Sequence, residues 1–305
     1  MSNIYDNAVD TIGNTPLIRL NRVTEGCGAT VVAKMESRNP LASVKDRIAF
    51  GMVREAERQG KIGPGTTLVE ATSGNTGIGF ALVGVQKGYR VLIFMPENMS
   101  EERKKIIHAL GAELVQTPAT KNIEGAVKKV EELAASDAKV FVPGQFVNPL
   151  NPETHYTHTA AEIWEQMEGK VDAFVAGVGS GGTLGGVGRF LKERDKNVRL
   201  VAVEPANASA LLGHEPGLHQ IQGIGDGFVP PVLDTSLIDD VLTVTDDDAI
   251  CITRELNRLE GALVGTSSGA NVWAAMKVAE QLGPSRRIVT VLPDRAERYF
   301  STALI

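Results

Sequence analysis

Cysteine is almost absent from this sequence, with only Cys27 and Cys251 among 305 residues. The two are far apart, and neither belongs to a CxxC pair. Their number and spacing therefore predict neither a disulfide framework nor a zinc ribbon. Isolated thiols of this kind fit a reducing compartment, and we expect a cytoplasmic protein.

Long apolar runs and blocks of positive charge are also missing. No stretch approaches the roughly 18 apolar residues that span a bilayer, and the N-terminal segment lacks the pattern of a signal peptide. Lysine and arginine are scattered through a chain of net charge −6. This leaves no basic stripe for nucleic acid and no basic patch for a membrane surface. The expected partners are small molecules.

The apolar residues are arranged as an alternation of strands and helices. Runs rich in valine, isoleucine and leucine, such as RVLIFMP and VRLVAVEP, alternate with segments of helical periodicity. Strands that are apolar on both faces belong in parallel sheets covered by helices. The length favours two domains. The predicted fold class is α/β, with two doubly wound domains and mainly parallel sheets.

A cluster of proline and asparagine, PGQFVNPLNPE, interrupts this alternation and predicts a domain boundary near Asn148. The smaller, mobile domain is predicted over 46–147. The larger domain is predicted from 1–45 together with 148–305. Two strand-like segments, PLIRL and TVVAKME, precede the first βαβ unit, and their pattern leaves open which sheet they join.

A glycine-rich turn follows the strand-like run VDAFVAG. It consists of Gly179, Ser180, Gly181, Gly182 and Thr183. Without side chains, successive backbone N–H groups can approach an anion, and the N-terminus of the following helix adds partial positive charge. We interpret the turn as a phosphate site. Close packing of strand and helix is one alternative. A dinucleotide site is another, because Gly177, Gly179 and Gly182 satisfy GxGxxG and Glu204 ends the next strand.

Two further polar turns follow predicted strands. ATSGNTGIG presents Thr72, Ser73, Asn75 and Thr76 beside free helical N–H groups, which suits a carboxylate, although a helix-capping turn gives the same pattern. VGTSSGANVW presents Ser267 and Ser268, and an ordinary helix cap explains these two serines equally well. The residues alone leave an NAD-dependent oxidoreductase open, but its hydride transfer has no need of these turns.

Lys45 opens an amphipathic helix in the segment NPLASVKDRIAF. A single lysine is usually solvated, so a functional role for Lys45 is inferred only from its occurrence together with the other motifs. NPxxSVKDR, TSGNTG, GxGSGGT and TSSG together resemble the fold-type II pyridoxal-phosphate (PLP) enzymes, in the branch of cysteine synthase (O-acetylserine sulfhydrylase) and cystathionine β-synthase. The resemblance continues through IGNTPLIRL, MPENMSEERKKIIHALGAELVQT, QFVNPLNPETH, IQGIGDGF and AERYFSTAL.

The resemblance implies a role for each motif. Lys45 would hold PLP as a Schiff base and later take the α-proton of the substrate, for which the amine must lose its own proton. Gly179, Ser180, Gly181, Gly182 and Thr183 would bind the phosphate. Thr72, Ser73, Asn75, Thr76 and Gln145 would hold the substrate carboxylate, with Asn75 also touching the phenolic oxygen of PLP. Ser267, rather than Ser268, would contact the pyridine nitrogen.

The implied reaction converts O-acetyl-L-serine and sulfide to L-cysteine and acetate. The family also implies a tryptophan synthase β-like fold, a homodimer, and a site for the C-terminal tail of serine acetyltransferase. One alternative with the same chemistry is the condensation of serine with homocysteine. A PLP-domain regulator without activity is an alternative from another class.

Two segments depart from the pattern of cysteine synthases. GIGDGF has Asp226 where alanine is usual, and Asp294, Arg295 and Ala296 stand where small serine and glycine residues are usual before the ERY segment. A carboxylate at Asp226 predicts that a charged O-phosphoserine is disfavoured as a donor. His155 and His158 are three residues apart, but no third ligand has suitable spacing, so no metal site is predicted.

Overall fold

The computed structural model describes residues 4–302 and 304. Its strands are β1 (Leu17–Arg19), β2 (Thr30–Met35), β3 (Thr67–Ala71), β4 (Arg90–Pro96), β5 (Glu113–Thr117), β6 (Val140–Phe141), β7 (Ala173–Gly177), β8 (Arg199–Pro205), β9 (Asp240–Val244) and β10 (Arg287–Leu292). Its α-helices are α1 (Lys45–Arg58), α2 (Asn75–Gln86), α3 (Glu101–Ala109), α4 (Asn122–Ser136), α5 (Leu150–Thr154), α6 (Ala161–Gln166), α7 (Gly182–Arg194), α8 (Asp246–Glu255) and α9 (Thr266–Leu282). A π-helical segment, His155–Ala160, joins α5 to α6, and a second, Leu256–Glu260, follows α8.

The smaller sheet is four-stranded and parallel, in the order β5-β4-β3-β6. Every residue of β3 is buried, because helices cover both faces of the sheet. One face packs with α1 and α2 through a core that includes Leu68, Ile78 and Ile93. The other packs with α4 through Val69 and Phe94. Strands that are apolar on both faces are expected in such a sheet.

The larger sheet is six-stranded, in the order β1-β2-β10-β7-β8-β9. All neighbours are parallel except β1 and β2. The two early segments left open by the sequence therefore both join this sheet, with Thr30 of β2 opposite Arg287 of β10. The predicted α/β class with doubly wound, mainly parallel sheets is confirmed. Among the described helices, none combines the length and the apolar character that crossing a bilayer requires.

Candidate active site

One cavity lies at the carboxyl ends of β3, β7 and β10, where ligand sites of such sheets are expected. It is lined by nearly all of the site residues predicted from sequence: Lys45, Thr72, Ser73, Asn75, Thr76, Gln145, Gly179, Ser180, Gly181, Thr183 and Ser267. Gly182 is the exception, since it is buried behind the glycine turn. The structure thus brings together three turns that are far apart in the sequence.

Lys45 is the first residue of α1, and the surrounding chain fixes its position. The N–H of Val44 donates to Pro293 O at 2.9 Å. Two residues beyond Lys45, the buried Arg47 donates to Glu36 and Glu162, each at 2.7 Å. These bonds tie the start of the helix to the larger sheet and to α6.

The amine of Lys45 points towards the glycine turn, with Nζ 3.3 Å from Ser180 Oγ. Burial lowers the pKa of this amine, and the charges of Asp226 and Asp294 oppose the shift. A lowered pKa raises the fraction of neutral amine, which is the nucleophilic and basic form.

The glycine positions of this turn leave no room for a side chain. A Cβ at Gly179 would overlap the carbonyl oxygen of Gly223, and one at Gly182 would overlap Asn151. Gly181 has φ +78°, a left-handed conformation that favours glycine. Because α7 begins at Gly182, the N–H groups of its first turn are available to an anion.

Two residues for which the sequence predicted no role at this turn support it from behind. Asn151 is fully buried and donates to Ser180 Oγ at 2.9 Å and to Gln145 O at 2.7 Å. His155 is also buried, with Nε2 3.3 Å from Thr183 Oγ1. Burial holds the pKa of His155 well below its usual range, so the ring is neutral. Both residues lie in the QFVNPLNPETH motif, where only Gln145 was predicted to bind the substrate and His155 was considered only as a metal ligand.

The TSGNT turn lies between β3 and α2. Thr72 Oγ1 accepts the N–H of Gly74 at 3.0 Å, which shapes the turn. Thr76 Oγ1 donates to Gln145 Oε1 at 2.7 Å, so Gln145 joins the turn although it is distant in sequence. The free N–H groups at the start of α2 and these side chains form a set of neutral donors suited to a carboxylate.

Glu70, the residue before Ala71 at the end of β3, supports Gln145 from below. It is buried and accepts hydrogen bonds from the N–H groups of Gly144, at 3.1 Å, and Gln145. Burial raises the pKa of this carboxyl to about 8. Glu70 was not predicted from the sequence, because a single polar residue in an apolar strand indicates no particular function.

Asn75 is held by residues from the C-terminal segment. Its Nδ2 donates to Asp294 Oδ2 at 2.6 Å, and its Oδ1 accepts from Arg298 Nη1 at 2.7 Å. Tyr299 also donates to Asp294 Oδ2, at 2.6 Å. Asp294, noted above as a departure from the family, therefore orients a predicted site residue.

The two serines of the TSSG turn differ in position. Ser267 lines the cavity. Ser268 is fully buried behind it, and its Oγ has no hydrogen-bond partner in the described chain. Asp226 also lines the cavity, and its carboxylate makes no hydrogen bond or ion pair with the described residues. Burial raises the pKa of Asp226, while the nearby Lys45 lowers it.

Arg103, from α3, completes the wall beside the TSGNT turn. Its guanidinium carbon lies 4.8 Å from the centre of the Tyr299 ring, and Nη1 donates to Gln222 and Ser100. Arg103 was not predicted as a site residue, because in the sequence it is one of several charged residues on the same helix.

This arrangement fits PLP. The cavity offers a lysine amine of lowered pKa whose Nζ lies 3.3 Å from Ser180 Oγ in the glycine turn. The glycines of that turn have no room for a Cβ, and the hydroxyl of Ser267 lies on another wall. An aldehyde, a phosphate and a ring nitrogen each find the partner they need. A hydride-transferring dinucleotide, by contrast, has no group that would react with the buried amine of Lys45.

Comparisons with known proteins agree with this reading. The family model described as pyridoxal-phosphate dependent enzyme matches residues 9–294. A cysteine synthase of Staphylococcus aureus is 49% identical over 300 residues, which cover 98% of this chain and 96% of that protein. The crystal structure of a cysteine synthase from Entamoeba histolytica superposes with a TM-score of 0.95 at 42% identity, covering 99% of this chain and 91% of that one.

A third similar protein has a different activity. The O-acetylserine dependent cystathionine β-synthase of Helicobacter pylori superposes with a TM-score of 0.94 at 41% identity, covering 99% of each chain. The resemblance inferred from the motifs is confirmed by these matches. The chain belongs to the family of pyridoxal-phosphate-dependent enzymes.

Proposed function

We propose that this protein is a cysteine synthase, which converts O-acetyl-L-serine and sulfide to L-cysteine and acetate. The observation that carries the proposal is the 49% identity to a cysteine synthase over almost the whole length of both chains. The cavity is consistent with it, because a lysine, a phosphate site and a carboxylate site all open into the same space.

We assign the residues as follows. Bound PLP supplies an electron sink that makes the α-proton of an amino acid acidic. Lys45 anchors the cofactor and then, as a free amine, takes that proton. The glycine turn from Gly179 to Thr183 holds the phosphate, and Ser267 offers a neutral hydroxyl to the ring nitrogen. Thr72, Ser73, Asn75, Thr76 and Gln145 bind the substrate carboxylate.

The position of the carboxylate site supports a closing motion. The TSGNT turn belongs to the smaller sheet, whereas the glycine turn follows β7 of the larger one. We propose that 46–147 forms a mobile domain and that 1–45 with 148–305 forms the larger one. A substrate bridging the two turns would draw the smaller domain over the cavity and exclude water.

A second candidate uses the same donor with homocysteine as the acceptor. It is favoured by the likeness to the Helicobacter pylori enzyme and by the unpaired carboxylate of Asp226, which could bind the ammonium group of an amino-acid acceptor. Condensation of serine itself with homocysteine is less favourable, because hydroxide must then leave instead of acetate, and hydroxide is the poorer leaving group.

A matrix of assays tests both candidates. O-Acetylserine, O-phosphoserine and serine are each supplied with sulfide and with homocysteine, and cysteine and cystathionine are quantified. The highest kcat/KM is expected for O-acetylserine with sulfide. Lys45→Ala should abolish turnover and the absorbance band of the lysine-linked cofactor, while Lys105→Ala, on an exposed face of α3, should retain both. Normal turnover by Lys45→Ala would refute the role of Lys45.

The similarity to cysteine synthases also suggests a cellular location, an oligomeric state and a protein partner. We propose a cytoplasmic homodimer, which size-exclusion chromatography with light scattering would test. We further propose that the C-terminal carboxylate of a serine acetyltransferase tail occupies the TSGNT turn. A peptide of that tail should then compete with O-acetylserine, and an amidated peptide should not.

A further inference from the structure

Arg103 is a buried cation without a counter-ion. Only 2% of the residue is exposed, and no carboxylate among residues 4–302 lies within ion-pair distance of it. Its Nε is buried and has no hydrogen-bond partner in the same part of the chain. A buried charge is costly unless an opposite charge compensates it.

The groups that contact the guanidinium of Arg103 in the described part of the chain are uncharged. Nη1 donates to the side-chain oxygens of Ser100 and Gln222, and the guanidinium lies over the face of Tyr299. These contacts orient the guanidinium but do not neutralise it. The phenol of Tyr299 is itself a hydrogen-bond donor, to Asp294, and burial raises its pKa well above the ordinary value, so the ring is neutral.

The guanidinium lies against the carboxylate-binding turn. A Cβ at Gly74 would overlap Nε and Cδ of Arg103, so glycine is required there for the side chain to pack on the turn. Gly74 is flanked by Ser73 and Asn75, and Arg103 and these two residues line the same cavity. The other residues assigned to the carboxylate, including Gln145 and Thr76, are all neutral donors.

From this arrangement we infer that Arg103 is a binding residue for the α-carboxylate of the substrate and supplies a positive charge that the neutral donors of the TSGNT turn and Gln145 lack. The missing counter-ion is then the ligand itself. The assignment rests on the proposed function only in requiring that the ligand is an α-amino acid. It gives the enzyme a means of rejecting amino acids whose carboxyl group is blocked, because a neutral amide cannot compensate the buried charge.

Equilibrium binding separates this role from a purely structural one. L-Alanine has no leaving group, so its dissociation constant can be measured from the absorbance change of the holoenzyme without turnover. L-Alaninamide provides the same ligand without the negative charge. The quantity of interest is the ratio of the two dissociation constants.

Arg103→Gln and Arg103→Met should each raise the dissociation constant of L-alanine at least about tenfold. The dissociation constant of L-alaninamide should change by less than about twofold. Arg103→Lys keeps the charge and should retain most of the preference for the carboxylate. Lys105→Gln makes the same change of charge on the exposed face of α3 and should leave both constants unchanged.

Three outcomes would overturn the inference. Equal weakening of both ligands would mean that Arg103 only shapes the turn. Unchanged binding of both would mean that the charge is not used for the α-carboxylate, and that its counter-ion is the leaving group or the acceptor. Loss of the preference in Arg103→Lys as complete as in Arg103→Gln would exclude charge as the cause. Since binding is measured without turnover, failure of the cysteine synthase assay would not affect this test.

Discussion

Asn75 donates a hydrogen bond of 2.6 Å to the carboxylate of Asp294, which is 219 residues further along the chain. Arg298 donates to the other end of the same amide, so the orientation of Asn75 is fixed from both sides. The loop after β10 therefore fixes the orientation of a side chain at the start of α2.

Asp294→Ala should impair catalysis by releasing Asn75. Its amide would lose a charged acceptor, and hydrogen bonds to charged groups contribute about 1.5–3 kcal/mol. We expect kcat/KM for O-acetylserine to fall by roughly tenfold or more. Tyr299→Phe is the matched control, because it removes only the phenol from Asp294 and should cost less than about threefold. If both variants lose the same activity, Asp294 acts through packing and not through Asn75.

Ser267→Asp should slow turnover by at least about tenfold, because a carboxylate at this position would favour a protonated ring nitrogen and change how the bound cofactor withdraws electrons. Ser268→Ala removes a buried hydroxyl without a partner in the described chain, and kcat should stay within about twofold. Steady-state kinetics with O-acetylserine compares the two. The reverse pattern would assign the ring contact to Ser268.

Asp226→Asn should improve O-phosphoserine as a donor. At about 8 Å and an effective dielectric near 40, repulsion between Asp226 and each unit of phosphate charge amounts to about 1 kcal/mol. The ratio of kcat/KM for O-phosphoserine to that for O-acetylserine should rise several-fold in the variant. Because burial raises the pKa of Asp226, the improvement should grow with pH as the wild-type carboxyl ionises. A wild-type preference for O-phosphoserine would show that Asp226 has another role.

Glu70 should make the folded state less stable as pH rises. Burial raises its pKa from 4.5 to about 8, so between these values the folded protein holds a proton that the unfolded chain has lost. The free energy of unfolding then falls with pH in this window, by up to about 1.4 kcal/mol per unit. Glu70→Gln cannot ionise. Chemical denaturation at pH 5, 6, 7 and 8 gives the free energy of unfolding of both proteins. The value for the variant minus that for the wild type should increase at each step, and a difference that does not change with pH would contradict the raised pKa of Glu70.

The sequence predicted best what depends on local pattern. β4 occupies RVLIFMP, and β8 occupies all but the first residue of VRLVAVEP, because an apolar run is a property of a few neighbouring residues. The three polar turns were identified for the same reason. Their meeting in one cavity follows from the rule that parallel strands share an edge for their carboxyl ends.

What the sequence could not predict depends on contacts between distant residues. The pairing of β2 with β10 is such a contact, and no local pattern encodes it. Arg103 and His155 look like ordinary helix residues until the fold buries one against Gly74 and the other behind Thr183. Asp294 was recognised as unusual, but its bond to Asn75 required the three-dimensional arrangement.

The connectivity of the two sheets has a consequence for biosynthesis. The smaller sheet takes all its strands from one continuous stretch, Thr67 to Phe141, and can close as soon as that stretch has left the ribosome. The larger sheet cannot, because β2 must wait for β10, which is made about 250 residues later. Throughout that interval β2 has β1 on one edge, but its other edge is unpaired. An unpaired strand edge is prone to aggregation, so a chaperone that covers this edge would protect the nascent chain.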